Sequence, residues 1–267
     1  MSDTALSEKR VYGRRRDRTT AYVASGLGLS RVELAGDQVG RFALARRGPA
    51  TAVAGGDGKL LVATGEDVLV GTGDTFAPTD FGPAAAVALA DGTPVAATPD
   101  GTVARLVGDD WEPVGGVDEP RRAGGDLLAA ADGVYRVGED LAFLGAVDAR
   151  DVAAAGPYAA TPDGLVAYDG EFHRVAGADC RLVAAEGDRA HAVCAGGLLA
   201  RRNGAWQSRP LPVDDSLADL AHGEALYAVT REGTMLVNAA PELTPDGQGG
   251  WRSRALGVRD VTGLAVP

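Results

Sequence analysis

Tyr158-Ala-Ala-Thr161, Pro162-Asp163-Gly164, Leu165-Val166-Ala167, Asp169-Gly170 and Phe172 follow one another in a single stretch, and its reading decides the fold. A short apolar run, an Asp-Gly turn and a second apolar run form a β-hairpin, because Asp-Gly supplies the positive φ that a tight turn needs. A second turn at Asp169-Gly170 then starts a further strand at the bulky Phe172. Just upstream, the small residues Val152-Ala-Ala-Ala155 read as a strand preceding the hairpin.

Working outward, the Tyr158 segment recurs as Tyr22-Val-Ala-Ser25, Leu61-Val-Ala-Thr64, Val95-Ala-Ala-Thr98, Leu128-Ala-Ala-Ala131, His191-Ala-Val-Cys194 and Tyr227-Ala-Val-Thr230. The period is about 34 residues, within the range of repeat architectures. The bulky residue after the second turn recurs as Val39, Phe76, Trp111, Leu141, Trp206 and Trp251. Small-residue runs like Val152–Ala155 stand at Thr51–Ala54, Ala85–Ala88, Leu182–Ala185 and Leu217–Leu220, with a weaker copy near Ala123-Gly124-Gly125. Seven copies of four antiparallel strands predict an all-β, seven-bladed β-propeller. Small residues suit the crowded inner strand and Trp or Phe the splayed outer one. Blades stacked face to face bury both sides of each sheet, so the second strands read as continuous apolar runs.

Arg259-Asp-Val-Thr-Gly-Leu-Ala-Val266 matches the inner-strand segment beginning Arg150-Asp151-Val152, yet no second strand follows it. This C-terminal strand is expected to complete blade 1, whose other strands come from the N-terminal part, and so to remove two open sheet edges. The division is a basic leader over residues 1–20 and a single propeller domain over residues 21–267.

The 267 residues carry a formal charge of −11 with 45% apolar and 24% charged side chains, the profile of a soluble globular protein. No run approaches the ~18 apolar residues of a membrane span. Lys9 and Lys59 are the only lysines beside twenty-four arginines, and aspartates outnumber glutamates. Such a composition fits a halophilic archaeal protein or a GC-rich codon bias. The acidic body disfavours nucleic-acid phosphate as its main partner.

The Tyr22-Val-Ala-Ser25 start after an Arg-rich leader, the seven degenerate repeats and the Arg259-Asp260 ending resemble an uncharacterised family of haloarchaeal β-propeller proteins. The resemblance spans nearly the whole chain and implies the fold, but brings no activity or catalytic residues with it.

Propellers work at their strand ends, where loops converge on the channel mouth. The loops linking blade to blade hold Arg46-Arg47, Asp118-Glu119, Arg121, Arg122, Asp148, Arg150, Asp151, Asp179, Arg181, Asp214-Asp215, Arg259 and Asp260. Alternating Arg and Asp around the mouth suits a polar or anionic ligand. The structural alternative is a set of salt bridges locking blade to blade. Arg121, Arg122, Arg150, Asp151, Arg181, Arg259, Asp260 and His222 are the candidate ligand- or partner-binding residues. His222, near an inner-strand end, is also a candidate general base, whereas His191, in an apolar second strand, reads as a core residue. The turn acids Glu66, Asp100, Asp132, Asp163 and Glu232 form a second candidate set, for Ca²⁺ or a basic partner, but Asp before Gly suits turn geometry and that is the role expected of them. No metal site, catalytic set or cofactor is expected.

Cys180 and Cys194 lie symmetrically about Gly187, so their sulfurs would face each other; without a secretory signal, free buried thiols are expected. The three tryptophans read as outer-strand packing. Lys9, Arg10, Arg14, Arg15, Arg16 and Arg18 make the leader a solvated tail, a strap on the protein's own carboxylates, or a contact for nucleic acid or an acidic partner. The function that fits these features is a cytoplasmic, monomeric, non-catalytic scaffold binding another protein or a ligand, without membrane association. The alternatives are a hydrolase or lactonase-like enzyme at the channel mouth, and a nucleic-acid-associated protein using the leader.

Overall fold

The computed structural model describes residues 18–239 and 250–267. These form seven four-stranded antiparallel sheets and, among the described residues, no helix. Counting outward from the axis, the inner strands of blades 1 to 7 are Val261–Ala265, Ala52–Gly56, Ala86–Ala90, Arg122–Gly124, Asp151–Ala153, Cys180–Glu186 and Leu217–His222. Blade 1 joins the two chain ends: Val261–Ala265 pairs with Arg18–Ser25 through Tyr22↔Ala265, Val23↔Leu264 and Ala24↔Gly263. The second strand of that blade begins at Arg18, three residues before the boundary read from the sequence. Lys9, Arg10 and Arg14 to Arg16 lie outside the described residues.

The apolar interior is seven separate cores, one between each pair of neighbouring blades. In blade 1, Ala21 and Val23 pack toward blade 7 against Val229 and Val237. Their neighbours Tyr22 and Ala24 pack toward blade 2 against Leu60 and Val62. Side chains alternate across a strand, so a run such as Tyr22-Val-Ala is uninterrupted because both faces are covered. The core at the blade 7–blade 1 seam includes Leu256, Val258, Val261 and Leu264 from the C-terminal segment, so closure is apolar as well as hydrogen-bonded. The outer-strand tryptophans pack as expected: Trp111 lies 4.5 Å from Phe81 and Trp206 5.4 Å from Tyr158, between ring centroids.

The turn glycines do more than turn. At Gly101 (φ +98°) an added Cβ would lie 2.0 Å from the Val117 carbonyl oxygen, and at Gly233 (φ +81°) 2.2 Å from that of Val258. Outer-strand ends and blade links therefore pass directly over these turns, which excludes any side chain.

One expectation is overturned. Cys180 and Cys194 form a disulfide between the inner and second strands of blade 6. The hairpin turns at Gly187-Asp188, with Glu186 opposite Arg189, so unbroken pairing would set Cys180 opposite Ala195. A bulge at Arg181 shifts the register by one and brings Cys180 opposite Cys194. Gly177 (φ +65°) lies directly against both sulfurs.

Candidate functional site

A channel with a cavity of about 560 Å³ runs along the axis, walled mainly by Ala, Gly and Val of the inner strands. Its polar equipment sits at one level. The residues paired with Ala24, Ala63, Ala97, Ala129, Ala160, Val193 and Val229 of the second strands are Gly263, Ala52, Ala86, Arg122, Asp151, Leu182 and Asp219 in blades 1 to 7. Three of the seven are charged.

Arg122 crosses the channel. Its Nη1 lies 2.8 Å from Asp219 Oδ1 in blade 7, and Nη2 donates to the Ala218 carbonyl at 3.3 Å and the Thr262 carbonyl of blade 1 at 3.0 Å. Blade 4 stands opposite the seam between blades 7 and 1, so this side chain spans the ring and ties its far wall to the closure. Asp151 lies beneath it at 3.8 Å, with side-chain exposure of only 7%.

The two carboxylates also bind backbone. Asp151 accepts the amides of Val152 at 3.0 Å and Val183, in the next blade, at 2.9 Å. Asp219 repeats this with Leu220 at 2.9 Å and Leu264 of blade 1 at 2.8 Å. Each satisfies an inner-strand amide that would otherwise face the channel unpaired. The Asp219 charge holds the Arg122 guanidinium firmly protonated against its burial. Burial pushes the Asp151 carboxyl up to about 7, with Arg122 and the two amides pulling the other way and Asp219 adding to the rise.

Around this level, side chains at the blade links clasp the next blade. Arg121 reaches Asp148 at 2.5 Å and the Ala149 carbonyl at 2.9 Å, from blade 4 to blade 5. Arg150 repeats the contact on Asp179 at 2.6 Å and the Cys180 carbonyl at 3.4 Å, from blade 5 to blade 6. Thr262 Oγ1 donates to the Ala50 carbonyl at 2.8 Å, from blade 1 to blade 2. Arg121, Arg122, Arg150 and Asp151 are thus engaged within the ring, whereas Arg181, Arg259 and Asp260 are exposed on the rim.

His222 is not part of this mouth. It ends the inner strand of blade 7 that Leu217 begins, and so lies at the opposite end of the channel. There its Nε2 faces Nδ1 of His191, in blade 6, at 3.3 Å across the blade seam. Both are buried. Burial lowers His222 to about 4, and burial followed by the His222 charge lowers His191 to about 3, with Arg189 acting the same way on each. Both rings are therefore neutral at neutral pH.

Two of the turn acids bond within their own loops: Asp100 accepts from Thr98, and Asp132 from Tyr135 and the Asp118 amide. Among the described residues, no three His, Cys, Asp or Glu side chains are grouped to hold a metal ion. Sequence reasoning missed two positions. Asp219 was visible only as part of a small-residue strand, although aligning the inner strands sets it level with Arg122 and Asp151. Asp67 accepts the amides of Val68, Thr79, Asp80 and Gly82, folding the link from blade 2 to blade 3 around one carboxylate.

Residues 5–267 match a protein-family model described as "Beta-prop_HVO_0234:-like, beta propeller". Among solved structures, the computationally designed Ika8 protein is similar at 16% identity and a TM-score of 0.57, over 94% of this chain and 91% of that one. YCF48 bound to D1 peptide is similar at 14% identity and a TM-score of 0.56, over 79% and 83%. At these identities the likeness is one of fold. No curated protein matches the chain.

Proposed function

Since the chain belongs to the HVO_0234-like β-propeller family, we propose that it is a non-catalytic scaffold whose rim loops bind another protein. One observation carries this reading: the Arg122 side chain spans the channel and spends its donors on the opposite wall. The charged groups at this mouth serve to brace the ring, and the exposed rim is left as the surface for recognition. YCF48, a propeller of similar fold, holds a D1 peptide, which supports peptide or protein binding as a use of this architecture.

The alternative of a hydrolase or lactonase-like enzyme draws less support. His222, its candidate base, is buried against His191 and lowered to about 4, which makes it a weak base for proton abstraction. The third alternative, nucleic-acid association, would depend on the leader. We place the scaffold in the cytoplasm as a monomer. The Cys180–Cys194 disulfide is more usual outside reducing compartments; in the cytoplasm its burial, with Cys180 fully buried and Cys194 5% exposed, would shield it from soluble reductants.

Affinity purification from native lysate tests the proposal: one protein partner in stoichiometric amount is expected. Recovery of the chain alone, with a metabolite in the channel by mass analysis, would overturn it in favour of the enzyme. Nucleic-acid retention lost on removing residues 1–18 would favour the third reading.

A further inference from the structure

Leu27 is one of three large apolar side chains exposed among the described residues, at 53%. It sits at the tip of the turn between the second and third strands of blade 1, on the rim that carries the blade links. Its surroundings are basic. The Gly48 amide donates to the Leu27 carbonyl at 3.2 Å, which sets Arg46 and Arg47 beside it on the outer side. On the inner side, the Gly26 amide donates to the Asp260 carbonyl at 3.2 Å, which brings Arg259-Asp260 alongside. Beyond these, the Val261 amide donates to the Arg231 carbonyl at 3.2 Å.

Arg47, Arg231 and Arg259 are exposed and Arg46 half-buried. None of the four is ion-paired among the described residues, in contrast to Arg121, Arg122 and Arg150 on the same rim. Asp260 and Glu232 are the carboxylates within these segments, so arginines outnumber acids two to one in a protein of net charge −11. Among the described residues these arginines make no ion pair that braces the ring, and the leucine between them is left to solvent. Arginine around an apolar centre is instead the composition of a protein-binding surface.

We propose that Leu27, Arg46, Arg47, Arg231 and Arg259 form a docking surface for a partner segment that pairs carboxylates with an apolar side chain. This deepens the scaffold reading and rests on it. The arginines complement acidic groups, and Leu27 accepts the apolar one. A nucleic acid is the poorer fit, because Leu27 offers neither a stacking ring nor a hydrogen bond and the acidic body repels a long polyanion.

Fluorescence anisotropy tests the proposal with a labelled twelve-residue peptide of Asp and Glu around a central Leu-Leu pair, measured in 0.1 M salt. Its counterpart with Lys in place of the acids and a dT oligonucleotide of equal length serve as further probes. The acidic peptide is expected to bind, and to lose about tenfold in affinity, equal to ~1.4 kcal/mol, in the Arg47→Glu/Arg259→Glu variant. Leu27→Ser should also weaken it, whereas Lys59→Glu, at the far end of the channel, should not. All substituted side chains are exposed, and unchanged circular dichroism and Tm confirm the fold.

An acidic peptide that does not bind, that binds these variants equally, or that is outdone by the oligonucleotide with the same variant sensitivity overturns the proposal. The two proposals fail separately. A stoichiometric partner that still co-purifies with the Arg47→Glu/Arg259→Glu variant sinks this surface and leaves the scaffold standing. Peptide binding with no partner in the lysate sinks the scaffold.

Discussion

Replacing Arg122 by Met keeps most of the length of the side chain that crosses the channel while removing its charge and its donors. The wild-type guanidinium neutralises Asp219 at 2.8 Å and lies 3.8 Å from Asp151, whose side chains are 15% and 7% exposed. Breaking a buried pair by removing one partner costs about 3–5 kcal/mol, because a charge is left uncompensated. Here two carboxylates remain on one level of the ring, which places Arg122→Met toward the upper end of that range. A domain stabilised by about 5–15 kcal/mol would lose a large part of its stability. Adding Asp219→Asn removes one of the stranded charges and should recover about 2 kcal/mol, a coupling of the size seen for residues in one network. Without Arg122, Asp151 rises beyond about 7, so the penalty should also shrink from pH 8 to pH 5. Urea unfolding followed by the fluorescence of Trp111, Trp206 and Trp251 measures all three effects. A single variant within 1 kcal/mol of wild type at pH 8, or a double variant no better than the single, would refute the bracing role.

Removing residues 259–267 takes away the inner strand of blade 1 and the closing apolar core; loss of soluble monomer in gel filtration is expected, and a folded, soluble truncation would disprove the closure. The Cys180→Ser/Cys194→Ser variant should lose about 3 kcal/mol, the chain-entropy value for a loop of this length, and thiol titration should find no free thiol in the unreduced, denatured wild type. Arg150→Ala, whose partner Asp179 is 56% exposed, should cost under about 1 kcal/mol. The pH dependence is set by two opposed groups. His191 and His222 are lowered, so the unfolded chain binds more protons below pH 6.5 and their stabilisation is lost as pH falls toward 4, on the order of 3 kcal/mol for His222 alone. Asp151 is raised, so its stabilisation grows as pH falls from 7 toward 4. Asp151→Asn should therefore make unfolding more acid-sensitive than wild type, and an unchanged pH slope in urea titrations would contradict this.

The fold was legible because its signals are local and repeated. Asp-Gly turns, small inner strands and bulky outer strands each recur about every 34 residues, and the Arg259–Val266 segment had no hairpin of its own to join. The candidate residues were legible in position but not in use. Arg121 and Arg150 meet the alternative in which blade-link pairs lock neighbouring blades, while Arg181 and Arg259 stay exposed on the rim. The disulfide escaped, although the spacing about Gly187 predicts that the two cysteines face each other, because the lack of a secretory signal favoured free thiols; the chain reaches the facing pair through a one-residue bulge between Glu186↔Arg189 and Cys180↔Cys194.

The charged level in the channel shows why a repeat can hide its own exceptions. Arg122 and Asp219 are 97 residues apart, in blades that the chain order separates and the ring sets face to face. No spacing rule for helices, hairpins or metal loops looks that far. Yet a ring whose inner strands are mostly Ala and Gly can hold a crossing arginine only where the wall opposite presents an acid at the same level. The pairing therefore follows from two facts the chain does carry, seven repeats and the shared repeat position of Arg122, Asp151 and Asp219. In seven-fold geometry, the residue facing blade 4 must come from the seam of blades 7 and 1, which is where the two ends of the chain are joined. The same side chain that bars the channel thus fastens its closure.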